Sequence, residues 1–134
     1  MPSTPRHGSI LLIDDEDLVR SVLARLLRRR YVVEAVPCLA TARARLERAP
    51  GFALVICDEQ VGCERGSTFH EALRRAGDPV SERMLFMTGG PDAEQLRCIG
   101  GGHVLRKPFD ARHLEEIVSA RIEQLASAAP LRGC

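Results

Sequence analysis

The sequence is short of several things that would mark a protein at once. Its five cysteines, at positions 38, 57, 63, 98 and 134, are odd in number and include no C-x-x-C pair. That pattern argues against both a zinc site and a disulfide framework, so the thiols are expected to be reduced, as in a cytoplasmic protein. No apolar run approaches the roughly 20 residues that cross a bilayer. The N-terminal MPSTPRHGS carries one arginine with no apolar segment behind it, so neither export nor membrane insertion is expected. Excess charge of either sign is lacking as well. With 19 Lys plus Arg against 18 Asp plus Glu, the formal net charge is +1, and no long-range attraction to nucleic acid or to an anionic membrane follows. Arginines do cluster, from Arg25 to Arg30 and from Arg43 to Arg48, but apolar residues recur among them at helical spacing, and a solvated helix face accounts for them. Internal repeats, linkers and low-complexity tracts are missing ahead of the small-residue stretch Ala126 to Ala129.

What is present is enough for one domain: 134 residues, 45% of them hydrophobic, can bury a substantial core. Five short apolar runs recur, at Ile10 to Ile13, Tyr31 to Val36, Phe52 to Cys57, Met84 to Met87 and His103 to Leu105. Continuous runs of this kind suit strands buried on both faces of a parallel sheet. Between them lie stripes at a 3.6-residue repeat: Leu18, Val22 and Leu26 beside Val19, Leu23 and Leu27; Leu39, Ala42 and Leu46; Phe69, Ala72, Leu73 and Ala76; Leu114, Ile117, Val118 and Leu125. The segment from Pro91 to Ile99 starts like a helix and is cut off by Gly100, Gly101 and Gly102. Strict alternation of strand and helix with right-handed crossovers predicts an α/β fold, a doubly wound five-stranded parallel sheet in a three-layer α/β/α sandwich with a short fourth helix. The domain is expected over residues 9–125, with flexible tails at 1–8 and 126–134.

In open sheets of this class, functional groups gather beyond the carboxyl ends of the strands. Asp14, Asp15 and Glu16 follow the first run, Asp58 the third, Thr88 with Gly89 and Gly90 the fourth, and Lys107 with Pro108 the fifth. Carboxylates, a hydroxyl and an ammonium thus converge on one edge from distant parts of the chain. Two carboxylates ~5 Å apart repel by about 3 kcal/mol at an effective dielectric near 20. A divalent cation together with Lys107 would reverse that sign, and Mg²⁺ suits oxygen ligands with a phosphate oxygen among them. With the charge neutralised, a carboxylate can attack phosphorus. Asp58, which ends the central strand, is the best-placed nucleophile, with Thr88 and Lys107 set to hold phosphoryl oxygens. An acidic pair after a strand also serves as a helix N-terminal signal, and Asp14 to Asp17 suit both tasks.

Ile10 to Glu16 (ILLIDDE), Leu54 to Asp58 (LVICD), Phe86 to Gly89 (FMTG) and Arg106 to Phe109 (RKPF), in that order, resemble the receiver family of two-component response regulators, over about Ser9 to Leu125. Gly66, eight residues after Asp58, matches that family's loop glycine. The resemblance implies that Asp14 and Asp15 help to hold Mg²⁺ together with Asp58 and the main-chain carbonyl of Gln60. It further implies that Asp58 is the phosphoacceptor, that Thr88 is the switch hydroxyl and that Lys107 contacts the phosphoryl group. A cis Lys107–Pro108 peptide is expected with it. So is a histidine kinase or histidine phosphotransfer protein as donor, in a chain that signals by conformational change and is not a classical enzyme.

Two alternatives share part of the pattern. A phosphotransferase of the haloacid dehalogenase type needs D-x-D at the nucleophile, where this sequence reads Asp58-Glu59-Gln60. A flavodoxin-like FMN module needs free backbone donors in the first loop, which here is acidic. A degenerate receiver acting only as an interaction module is disfavoured because every chemical position is filled. The four histidines, at 7, 70, 103 and 113, share no ligand spacing, and Cys57 is expected to be a core thiol. Val104 stands where many receivers carry an aromatic switch residue, and the stretch from Thr88 to Lys107 is a few residues short. Both features point to a monomer or weak dimer that signals through the loop after Thr88.

Overall fold

The computed structural model describes residues 8–89 and 103–132, with side chains from 104 to 127 in the second stretch. Strands β1 (Ser9–Ile13), β2 (Val32–Val36), β3 (Leu54–Asp58), β6 (Met84–Thr88) and β7 (His103–Arg106) form one parallel sheet in the order β2-β1-β3-β6-β7. Two further strands, β4 (Gln60–Val61) and β5 (Glu64–Arg65), make a small antiparallel hairpin between β3 and helix α3. The helices are α1 (Asp17–Leu27), α2 (Leu39–Arg48), α3 (Gly66–Arg75) and α4 (Ala111–Arg132), with a 3₁₀ turn at Pro79–Arg83.

The five apolar runs become strands because both faces of the sheet are covered. Every residue of β3 and β6 is buried, and Ile10 to Ile13 have no exposure at all. Alternate residues then feed two separate cores. Leu11, Ile13, Val55, Cys57, Met84 and Phe86 pack with Leu39, Ala42, Leu46 and Phe69 of α2 and α3. Ile10, Leu12, Leu54, Ile56, Leu85 and Met87 pack with Leu23, Leu27, Leu114 and Val118 of α1 and α4. Each of the buried Leu, Ile, Val, Phe and Met side chains contributes about 1.5–3 kcal/mol, which makes these two layers the main source of stability. Cys57 lies wholly inside the first core, where burial pushes its thiol far above the ordinary range.

Several elements differ from the reading of the sequence. The α1 stripe splits: Leu23, Ala24 and Leu27 are buried, whereas Leu18 is 77% and Val22 49% exposed. Leu26, of the same column as Leu18 and Val22, packs partly against the core beside Leu23 and Leu27, so that column leaves the sheet only towards the start of the helix. Helix α4 continues to Arg132, past the boundary expected at residue 125. The hairpin was not foreseen, although Gly62 (φ 63°) supplies the positive φ that its tight turn needs. Nor was the 3₁₀ turn, which Asp78 caps by accepting from the Val80 amide at 3.0 Å. The expected short helix at Pro91 to Ile99 lies outside the described residues. On the edge strand β2, the Val33 carbonyl is covered by the Arg28 guanidinium at 3.1 Å, which blunts an edge otherwise open to pairing.

His70, on α3, is fully buried, with Nε2 3.0 Å from the Ser81 carbonyl and the ring edge-on to Phe86. Nδ1 is buried without a hydrogen-bond partner. Burial lowers the imidazole's pKa, and the hydrogen bond to Ser81 only partly offsets this. A histidine held neutral in the fold leaves the unfolded chain binding more protons below about pH 6.5, so stability falls as the pH drops from that value towards the lower folded pKa. Urea melts at pH 7.5 and 5.5 are expected to differ by more in the unaltered chain than in His70→Gln. Equal differences would contradict this.

Candidate functional site

The register of β1 and β3 sets Ile13 beside Cys57, so the residues that follow, Asp14 and Asp58, meet where the strand order reverses. This crevice is the topological switch point of the sheet. Asp14 is fully buried and Asp58 is 7% exposed. Their carboxylates and that of the exposed Glu16 each offer an oxygen within 4.8 Å of the others. Burial raises the Asp14 carboxyl above the ordinary range. The Glu16 amide, donating to Asp14 Oδ1 at 2.9 Å, opposes the rise, the neighbouring Asp58 adds to it, and Lys107 opposes it again.

Asp14 Oδ2 is buried and makes no hydrogen bond. An orphaned carboxylate oxygen beside two more carboxylates is a set that a hard divalent cation would satisfy, and an oxygen-only donor set suits Mg²⁺. Around it the loop is tied down. Arg20 donates to the Asp14 carbonyl at 2.9 Å and pairs with Asp17 at 2.6 Å.

Lys107, the only lysine in the sequence, supplies the compensating charge. Its amide donates to the Thr88 carbonyl at 2.8 Å and its Nζ donates to Asp58 Oδ2 at 3.1 Å. The Lys107–Pro108 peptide is cis, as the sequence led us to expect. A Cβ at Gly89 would sit 3.3 Å from the Lys107 Cβ, so glycine there lets the two strand ends draw close. Thr88 is buried at the end of β6, one residue beyond Met87, the register partner of Asp58.

Asp15 and Gln60, also expected at the site, lie on the loops that flank the cluster. Asp15 is exposed, and its Oδ2 accepts from the Gly62 amide at 3.0 Å, apart from the three clustered carboxylates. Gln60 donates its amide to Asp58 Oδ1 at 3.4 Å and its side-chain Nε2 to the Gly62 carbonyl at 2.8 Å. Glu16, in sequence one of the successive acidic residues Asp14 to Asp17, takes the third place in the cluster. Gly66 is fixed by contact: a Cβ there would meet the Asp58 carbonyl oxygen at 2.8 Å. Beside the carboxylates runs an open groove of about 720 Å³, lined on one side by Leu18, Val19 and Val22 of α1 and on the other by Lys107, Pro108 and Phe109.

Comparison with known proteins decides the family. The model of the response regulator receiver domain matches residues 10–119. This chain belongs to the receiver-domain family of response regulators. The receiver is 30% identical over 114 residues to the two-component response regulator PprB of Pseudomonas aeruginosa, a match covering 81% of this chain and 42% of PprB. It spans about half the length of the curated relatives it matches. Among solved structures, the receiver domain from the hybrid histidine kinase CckA is 32% identical with a TM-score of 0.68, covering 86% of this receiver and 99% of that chain. The chemotaxis response regulator CheY4 of Vibrio cholerae shares the fold at a TM-score of 0.74 and 23% identity, over 85% of this receiver and 98% of that chain. The doubly wound parallel fold expected from the sequence is thus the fold of the family. No described helix of the receiver is long and apolar enough to cross a membrane.

The raised pKa of Asp14 has a consequence for stability. A carboxyl whose folded pKa lies above its unfolded value costs the fold stability as the pH rises above the ordinary carboxylate range, and the cost grows until the pH has passed the folded pKa. Removing even ~1 kcal/mol of it moves the melting temperature of a domain this size by a few degrees. Asp14→Asn is therefore expected to melt higher than the unaltered receiver in EDTA at pH 7. It should also lose any rise in melting temperature that Mg²⁺ gives the unaltered chain. A lower melting temperature in EDTA would contradict the first expectation.

Proposed function

We propose that this receiver accepts a phosphoryl group on Asp58 from the phosphohistidine of a kinase or histidine phosphotransfer protein. The observation that carries the reading is the Lys107 ammonium 3.1 Å from Asp58 Oδ2, beside a buried Asp14 oxygen that has no partner. Asp14, Asp15, Asp58 and the main-chain carbonyl of Gln60 are the residues assigned to Mg²⁺, with Glu16 within reach of the same cluster. Mg²⁺, when bound, supplies positive charge to the oxygens of the phosphoryl group.

The chain's own residues do the rest. An oxygen of the Asp58 carboxylate forms the new bond to phosphorus as the bond from phosphorus to the donor imidazole breaks. The electron pair stays with the imidazole nitrogen, which takes a proton. Lys107 keeps a compact charge beside the acceptor and then beside a phosphoryl oxygen, and the Thr88 hydroxyl donates to another. The groove between α1 and Phe109 gives the donor protein an apolar surface next to the acceptor. Phosphate adds roughly −1.5 to −2 charge, and the loop that begins at Thr88 and Gly89 is the part assigned to respond. Val104, half-buried against the Phe86 core, leaves signalling without an aromatic switch at that position.

We further assign the domain to residues 9–125, the setting to the cytoplasm, the oligomeric state to monomer or weak dimer, and the activity to a phosphoacceptor that does not act as a classical enzyme. No direct contact with nucleic acid or membrane is assigned to it. The 32% identity to a hybrid-kinase receiver supports a setting within, or partnered with, such a kinase. Incubation with acetyl phosphate and Mg²⁺ is expected to add one phosphoryl mass to the intact protein, and Asp58→Asn or EDTA each to abolish the addition. Lys107→Ala is expected to slow it by at least tenfold, the ordinary scale for losing a charge that meets the transition state. Undiminished labelling of Asp58→Asn would overturn the assignment.

A further inference from the structure

Helix α3 begins without a cap of its own. Its N-cap position is occupied by Arg65, which makes no side-chain capping bond, and no acidic residue stands in its first turn. Arginine in that place offers the exposed helix amides no acceptor and puts a positive charge at the positive end of the helix dipole. The missing acceptor comes from Glu59, the residue next to the acceptor Asp58. Glu59 is 4% exposed. Its carboxylate accepts from the Ser67 amide at 2.9 Å through one oxygen, and from the Ser67 hydroxyl at 2.8 Å and the Arg65 guanidinium at 3.3 Å through the other. A buried carboxylate without such donors would be strongly disfavoured, so this geometry is specified by the charge it satisfies.

The main chain repeats the same attachment. The Glu59 amide donates to the Met87 carbonyl at 3.0 Å, and its carbonyl accepts from the Gly66 amide at 2.8 Å. Glu59 therefore joins β3, β6 and the first turn of α3 at one residue. That turn lies directly on the acceptor's backbone, because Gly66 has no room for a Cβ against the Asp58 carbonyl. Between Glu59 and Ser67 lies the hairpin that carries Gln60, whose tip is held from the opposite side by Asp15 through the Gly62 amide. The position of the Gln60 main chain is thus bounded by Glu59 at the base of the hairpin and by Asp15 at its tip.

We infer that Glu59 is a positioning residue for the acceptor site: its bonds to Ser67 and Arg65 set where the Gln60 carbonyl lies relative to Asp58, and so set the strength of Mg²⁺ binding. The inference rests on the function proposed above and adds to it a residue that touches neither phosphorus nor metal. Outer partners that orient a metal's ligands typically cost about 10–100-fold in affinity when removed.

The test uses Glu59→Met, which keeps the length of the side chain and loses its acceptors, Glu59→Gln, which keeps an acceptor oxygen without the charge, and Ser67→Ala, a mild change should Glu59→Met fail to fold. Mg²⁺ affinity is read directly by calorimetry or by amide NMR shifts. The Mg²⁺ dependence of labelling by phosphoramidate is read separately. Glu59→Met is expected to weaken Mg²⁺ binding by about tenfold or more, with the labelling rate at saturating Mg²⁺ within a few-fold of the unaltered chain. Glu59→Gln should fall between the two, and Ser67→Ala should shift affinity in the same direction by less. Unchanged Mg²⁺ affinity in Glu59→Met, or in Ser67→Ala where the former does not fold, overturns the inference and leaves the proposed function standing. An equal fall in labelling at every Mg²⁺ concentration also overturns it, since that marks damage to the acceptor itself. If the unaltered chain neither binds Mg²⁺ nor takes up phosphoryl groups, the proposed function fails and this inference falls with it.

Discussion

The constraint on which the rest of the structure depends is the gathering of carboxylates at the reversal of strand order. A parallel sheet of order β2-β1-β3-β6-β7 brings the ends of β1 and β3 together, and the sequence puts an aspartate just after the first and at the end of the second. Left alone, this pair would push the two central strands apart at their carboxyl ends. The Lys107 ammonium, brought across from β7 to Asp58, is the protein's own answer to that repulsion. It meets only part of the need, since one oxygen of Asp14 stays without a partner. The two apolar layers beneath hold the strand ends together with that oxygen unsatisfied.

Rigidity around the acceptor comes from polar ties and from missing side chains more than from apolar packing. Arg20 fixes the turn after β1 through the Asp14 carbonyl. Glycines at 66 and 89 allow backbone to approach backbone and strand end to approach strand end. Asp15 and Glu59 hold the hairpin after β3 at opposite ends. The groove between α1 and the segment from Lys107 to Phe109 contrasts with this, since Leu18 and Val22, which line it, are exposed apolar residues among those described.

Most of the architecture was legible because the strands are covered on both faces and therefore read as continuous apolar runs. The site was legible for a related reason: in this topology the polar residue after each run must lie on the same edge, so Asp14, Asp58, Thr88 and Lys107 could be grouped without knowing a single distance. Residues whose neighbours are set by loops were harder. Whether Asp15 or Glu16 turns towards Asp58 depends on how the chain enters α1, and both are acidic. Glu59 gave no signal, because a glutamate after a strand reads as a solvated turn and its partners, Arg65 and Ser67, are brought round by a hairpin with no periodicity. The division of α1 between Leu23 and Leu27 on one side and Leu18 and Val22 on the other was hidden for a different reason. Apolar spacing alone does not show where along the helix a column leaves the sheet, as it does at Leu18 and Val22 while Leu26 still packs against the core.

The solitary lysine has a consequence for the chemistry of the whole surface. Every other fixed cationic side chain in the sequence is an arginine, whose guanidinium spreads its charge over a plane and stays protonated under nearly all conditions. Only at Lys107 does the chain present a side-chain primary amine. A reagent that acylates side-chain amines would find one target in this sequence, and that amine is engaged with Asp58. The reactivity of a single nitrogen therefore reports whether that ion pair is open or closed, and the molecule carries its own probe of the acceptor's state.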